Sequence, residues 1–116
     1  MVDKQNSTLI LIAGRGMGQG PAELTEQLAD KWLQLVLEDG RLPGAIALYS
    51  EGTHLATRSS PVLGSLQTLE ERGVHIILCK TCIDYYGLAD EIAVGVVGGM
   101  GDIIAAQWAA KKVIKL

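Results

Sequence analysis

All the thiol chemistry open to this chain is confined to four residues, "CKTC", from Cys79 to Cys82. Two cysteines three positions apart suit thiol exchange: one attacks as a thiolate, and the other resolves the disulfide, sulfenate or persulfide that the first has taken up. The same spacing supplies two of the four ligands of a structural zinc site. The remaining ligands would have to come from His54, His75 or acids, and His75 falls inside an apolar run that suits a structural histidine, so no metal is assigned. A packing reading stands beside these: Cys79 closes a buried strand as a small apolar residue, and Cys82 packs under a short helix.

Position favours the reactive reading. "VHIILC", Val74 to Cys79, reads as a strand, and CKTC begins where that strand ends. A cysteine facing the start of a helix meets unpaired backbone N–H groups, which favour its anion, and Lys80 beside it adds positive charge. Tyr85 and Tyr86 follow within a short helical turn, where they line a cleft or support a subunit interface. His54, Arg58, Ser59 and Ser60 read as a solvated loop ending in a helix cap, with His54 as a proton source near the thiols as the sharper alternative.

The elements that must position these groups alternate. "TLILIA" (Thr8 to Ala13) is a branched apolar run ending in glycines, as a strand buried on both faces reads. "AELTEQLADKWLQLVLED" then repeats Leu24, Leu28, Trp32 and Leu35 or Val36 at helical spacing, with Pro21 at its first turn. Gly40, Pro43 and Gly44 lead into "AIALYS" (Ala45 to Ser50), a second strand. A second helix follows, with Ser60 as N-cap, Pro61 as first residue and Gly73 as stop. After the cysteines come "EIAVGVV" as a fourth strand, "MGDIIAAQWAAKK" as a final helix and "KVIKL" as a short edge strand, with Trp32 and Trp108 placed in the core.

Strands alternating with helices make an α/β protein with a parallel sheet covered on both faces. In such sheets the reactive groups gather beyond the carboxyl ends of the strands. The glycine loop, the "SEGTHLATRSS" segment and CKTC all belong to that edge.

The glycine loop itself, "GRGMGQG", carries glycines at 14, 16, 18 and 20, so a dinucleotide fingerprint starting at Gly14 meets Gln19 where it needs glycine. No phosphate-binding G-x-x-x-x-G-K-[ST] occurs either. What is left is a turn needing glycine backbone angles, or an anion-accepting helix start beside Arg15, and no cofactor is assigned.

The chain has 116 residues, 48% hydrophobic and 20% charged, enough for a single domain over 1–116 with its own core. A net charge of −3 with scattered basic residues gives no support to nucleic-acid binding. The N-terminal apolar run is too short for a membrane span and follows a polar stretch instead of a basic leader, so a cytoplasmic location is expected.

"GVHIILCKTCIDYYGLADEIAVGVVGGMGDI", with "SEGTHLATRSSPVLGSLQTLEERG" and "MGQGPAELTEQL" before it, resembles the DsrE/DsrF-like sulfur-relay family, most closely its YedF-like branch, over most of the chain. The resemblance implies a three-layer α/β/α sandwich with a mainly parallel five-stranded sheet, and homo-oligomers. It implies that Cys79 carries sulfur as a persulfide, since the family's carrier cysteine ends the third strand, with Cys82 as the resolving or assisting thiol. Lys80 would then support the thiolate, and Tyr85 with Gly16 and Gly18 would form the pocket wall. The small TusA-like carrier domain found ahead of the DsrE-like part in two-domain relatives is not seen, so such a carrier would act in trans. Two family asparagines are replaced, by Ser50 after the second strand and by Gly99 before Met100. A thiol–disulfide oxidoreductase and a non-enzymatic oligomeric binding module are the rival readings.

Overall fold

The computed structural model describes residues 7–116, and the polar stretch that precedes Ser7 lies outside them. Strands β1 (Thr8–Ile12), β2 (Ala45–Leu48), β3 (His75–Cys79), β4 (Val96–Gly98) and β5 (Lys112–Lys115) form one sheet in the order β4-β3-β2-β1-β5. Every pairing is parallel, with Ile10 opposite Ile46, Ile46 opposite Ile76 and Leu78 opposite Val97. Parallel neighbours need crossover connections, and helices α1 (Ala22–Asp39), α2 (Leu63–Glu71), α3 (Lys80–Tyr86) and α4 (Met100–Ala109) supply them.

Because successive strand residues point to opposite faces, each branched run feeds two cores. Ile10, Ile12, Ile46, Leu48, Ile76 and Leu78 face Ala29 and Leu33 of α1 and Leu66 and Leu69 of α2. Leu9, Leu11, Ala47, Ile77 and Cys79 face the opposite side, where Ile103 of α4 meets them. Full burial of each Leu or Ile contributes roughly 1.5–3 kcal/mol, so the register is strongly specified. Three layers result, the second face carrying the thinner helical cover.

The first helix matches its expected limits and stops at Gly40, left-handed at φ 79°, whose N–H donates to the Val36 carbonyl. Elsewhere boundaries move for local reasons. The second helix starts at Leu63 instead of Pro61, because Pro61 and Val62 form a turn in which the Ser60 hydroxyl accepts the Val62 N–H. The fourth strand shrinks to Val96–Gly98. Residues Ala89–Glu91 make a 3-10 turn, and the Ala93 N–H is spent on the Ala56 carbonyl instead of a sheet partner. The last helix ends at Ala109, since Lys111 turns its N–H to the Ser7 carbonyl as the chain joins β1.

Two expectations are corrected. Trp108 is 86% exposed and is not a core residue, because it lies on the outward stripe of α4 with Met100 and Ile104 while Ile103 faces in. The segment after β2 is not a solvated loop: Ser50–Ala56 is a 3-10 helix whose Gly52, Thr53, Leu55 and Ala56 are buried. Its small polar residues satisfy themselves, the Thr53 hydroxyl donating to the Ser50 carbonyl at 2.8 Å and the Thr57 hydroxyl to the His54 carbonyl at 2.7 Å. Among the described residues no helix is long and apolar enough to cross a membrane.

Candidate functional site

The carboxyl ends of β1, β2 and β3 bring three segments together, and the two cysteines sit at their meeting point. Cys79 is the last residue of β3 and the N-cap of α3, so its sulfur stands over the first helical N–H groups. The Cys82 N–H donates to Cys79 Sγ at 3.2 Å. The Ser50 N–H, from the turn after β2, donates to Cys82 Sγ at 3.1 Å. Each sulfur therefore accepts one backbone N–H, and neither is in a disulfide.

Exposure separates the pair. Cys79 is 2% exposed and belongs to the core cluster that also holds Leu9, Leu11, Ala47, Ile77 and Ile103. Cys82 is half-buried at the rim, beside the exposed Ser50. Burial pushes the Cys82 thiol up from its ordinary pKa, and the Cys79 sulfur, in side-chain hydrogen-bond contact with it, pushes it further. The Ser50 N–H pulls the other way by stabilising the anion. At neutral pH Cys82 holds its proton, within reach of the Cys79 sulfur.

The turn that delivers Ser50 is locked by close packing. Gly52 N–H is shared between the Ala13 and Tyr49 carbonyls, and a Cβ at Gly52 would lie 2.1 Å from the Ile12 carbonyl oxygen. Ser50 itself has φ 50°, the left-handed region, which non-glycine residues enter rarely. Neither residue stands out in the sequence as part of a thiol site. The available signals were the Ser-Glu-Gly run where β2 ends and the place of Ser50 where the family resemblance leads one to expect asparagine.

The other expected site residues are not gathered onto the sulfurs. The Lys80 ammonium reaches forward one turn to Asp84 Oδ2 at 2.7 Å, both groups exposed. Tyr85 is 82% exposed, and its ring meets Tyr86 edge-on at 5.1 Å. Tyr86 in turn meets the His54 ring at 4.5 Å, while His54 Nδ1 contacts the Glu51 carbonyl. Partial withdrawal from water pushes the Tyr86 hydroxyl up from its ordinary pKa, and the charges of Glu51, Tyr85 and Cys82 add to this, with Arg15 opposing. Gly16 is buried against α1, where a Cβ would lie 2.0 Å from the Thr25 carbonyl oxygen. Gly18, at φ 80°, is exposed in a turn.

His75 stands at the amino end of β3, four residues before Cys79 and so about 13 Å along the strand from it. It is exposed and cannot share a metal with these cysteines in one chain. A cavity of about 850 Å³ lies at the opposite edge of the sheet, between Trp32 and Val36 of α1 and Ile10 and Ile114 of the sheet. Neither Cys79 nor Cys82 lines it.

Three solved structures share this architecture. The ychN protein from E. coli is 21% identical, covering 95% of this chain and 98% of that one at a TM-score of 0.68. The protein of unknown function MTH1491 from Methanobacterium thermoautotrophicum is 20% identical over 94% and 97% of the two chains, at 0.69. The conserved protein of unknown function BT1422 from Bacteroides thetaiotaomicron is 16% identical over 96% of each, at 0.66. No curated protein matches the chain. The model of the DsrE/DsrF-like family matches residues 42–116, a span that runs from just before β2 through both cysteines to the end of β5. With the five-stranded parallel sheet and the cysteine pair closing its third strand, the chain belongs to the DsrE/DsrF-like family, which is associated with sulfur relay.

Proposed function

We propose that the protein is a sulfane-sulfur carrier, holding its cargo as a persulfide on Cys79 with Cys82 as the assisting thiol. The observation that carries this reading is the pair of backbone donors at the cysteines, the Ser50 N–H on Cys82 Sγ and the Cys82 N–H on Cys79 Sγ. Loading is thiol exchange. A protein thiolate attacks the terminal sulfur of a donor persulfide, one S–S bond breaks as another forms, and the donor leaves as a thiol with the proton that Cys82 held. Release to an acceptor thiolate runs the same step outward, without metal, nucleotide or net redox change. Donor and acceptor are thiol-bearing molecules, and a small TusA-like carrier acting in trans has the required chemistry.

The same protein is proposed to work as a homo-oligomer. Met100, Ile104 and Trp108 recur every fourth residue along the outward face of α4, at 56%, 46% and 86% exposure, and Val96 and Val97 of the adjoining β4 are exposed as well. So much apolar surface on one side of a small domain marks an interaction face.

The test is intact-protein mass measurement after the reduced protein meets a low-molecular-weight persulfide. A gain of about one sulfur mass, reversed by reductant and lost when both Cys79 and Cys82 are replaced by serine, is expected. A parent that forms only an internal Cys79–Cys82 disulfide would instead identify a thiol–disulfide oxidoreductase, the reading that the C-x-x-C spacing favours second. A parent that does not react would leave the binding module.

A further inference from the structure

We infer that sulfur enters at Cys82 and is relayed inward to Cys79, so that the two thiols act in a fixed order. This deepens the carrier reading and rests on it. Cys79 is 2% exposed at the end of β3, so a donor persulfide cannot bring its terminal sulfur in line with Cys79 Sγ without displacing the atoms packed over it. Cys82 meets solvent at the rim, and its own backbone N–H donates to Cys79 Sγ at 3.2 Å, which keeps the two residues adjacent. A hydrogen-bonded chain runs from outside to inside: the Ser50 N–H supports Cys82 Sγ, and the Cys82 N–H supports Cys79 Sγ.

The chemistry balances in two steps. In the first, the Cys82 sulfur attacks the terminal sulfur of R–S–SH. The S–S bond of the donor breaks, a new one forms on Cys82, and the departing R–S⁻ takes the proton that the Cys82 thiol carried, leaving as R–SH. In the second, the Cys79 sulfur gives up its proton to solvent and attacks the terminal sulfur of the Cys82 persulfide. That sulfur becomes the outer atom of a Cys79 persulfide, and Cys82 departs as a thiolate under the Ser50 N–H, free to take a proton from solvent. One sulfane sulfur enters and one is held, with no oxidant or reductant consumed. The arrangement keeps the stored persulfide away from stray thiols and oxidants while leaving a replaceable thiol outside.

Trypsin cleavage after Lys80 puts the two cysteines on different peptides, so the order can be read directly. Reduced protein is mixed with glutathione persulfide, quenched at intervals with an alkylating reagent, digested and weighed. The expected result is that the Cys82 peptide gains sulfur first and loses it as the Cys79 peptide gains it. In Cys79→Ser the label stays on Cys82, and in Cys82→Ser loading of Cys79 slows at least about tenfold, the loss expected when the accessible thiol is gone. Serine at 82 keeps the backbone N–H that serves Cys79, and thermal melting of each variant checks the fold. Label appearing first on Cys79, or parental loading in Cys82→Ser, would overturn the order while leaving the carrier reading intact. So would release of hydrosulfide with closure of a Cys79–Cys82 disulfide after loading. Absence of any sulfur gain in the parent would sink the carrier reading itself, and this order with it.

Discussion

Gly52 joins the fold to the thiols, and replacing it with alanine tests that connection. The new methyl carbon would lie 2.1 Å from the Ile12 carbonyl oxygen and 2.9 Å from its carbon, both backbone atoms that no rotamer change can move. An ordinary carbon–oxygen contact is over a full ångström longer, so the 3-10 turn must back away from β1. Overpacking of this kind costs about 1–3 kcal/mol. The displacement also strains the bond from the Gly52 N–H to the Ala13 carbonyl and that from the Tyr49 N–H to the Ile12 carbonyl, each contributing about 1 kcal/mol. The expected loss is about 2–4 kcal/mol, which in a domain of this size lowers Tm by roughly 10 °C or more. Because the same turn carries the Ser50 N–H to Cys82, the alkylation rate of Cys82 should change in the folded variant. Gly64 serves as the opposite control: it lies in α2 with nothing within 4 Å of an added Cβ, so Gly64→Ala should raise stability by about 0.5–1 kcal/mol. Thermal melting of both variants decides the matter. A Gly52→Ala protein that melts within a degree of the parent and alkylates at Cys82 as the parent does would refute the argument.

Two further outcomes follow from the pair and from the outer face. The pH profile of Cys82 alkylation, read on the peptide after Lys80, should have its midpoint above that of an ordinary thiol. In Cys79→Ala it should move down, because two of the influences that raise it come from the Cys79 sulfur and only burial remains. The linked stability has a definite sign: a raised folded pKa binds the proton more tightly than the unfolded chain does. That contribution is fully present below the unfolded value near 9.0 and is lost as pH rises through the folded one, so urea midpoints should fall only in the alkaline range. For the outer face, Trp108→Lys should convert an oligomeric parent to a smaller species in light scattering while leaving Tm nearly unchanged, since the side chain is already 86% exposed. A parent that is monomeric at micromolar concentration would remove the oligomer from the proposal.

The parts of this structure that the sequence makes legible are those set by long apolar patterns. Eighteen residues of helical periodicity between Pro21 and Gly40 define α1 to the residue, and the runs at Thr8 and Val74 locate β1 and β3. Cys79 and Cys82 at the carboxyl end of a strand were legible for the same reason, since a strand boundary and a motif coincide there. Weak patterns misled. "EIAVGVV" alternates well enough for a long strand, yet its first residues pair with the turn around Ala56, a tertiary choice that periodicity does not encode. Trp108 is large and apolar and so reads as core, but in a ten-residue helix with apolar residues on several faces the sequence does not say which face turns inward. Ser50 was invisible as a site residue because its contribution is a backbone N–H, common to every residue except proline. The resemblance did mark that position, where it leads one to expect asparagine. The left-handed φ of 50° gives a physical reason, since asparagine tolerates that region better than serine does.

Lys80 shows most clearly why charge is the wrong place to look for the control of these thiols. A lysine next to a cysteine invites the idea of an ammonium holding a thiolate, but here the ammonium bridges to Asp84 on the solvent side of α3. An exposed charge near 4 Å from a sulfur would contribute about 1 kcal/mol in water, less with salt, and the Asp84 carboxylate cancels much of its field. A backbone N–H directed at a charged acceptor is worth about 1.5–3 kcal/mol and is not screened away. Two such donors, from Ser50 and Cys82, are fixed by the sheet register and by the crowding at Gly52, so they need no flexible side chain to arrive. Control of the thiols therefore passes to backbone geometry where β2 and β3 end. A substitution that bends that turn should change the alkylation rates of the two thiols more than one that removes the neighbouring cation.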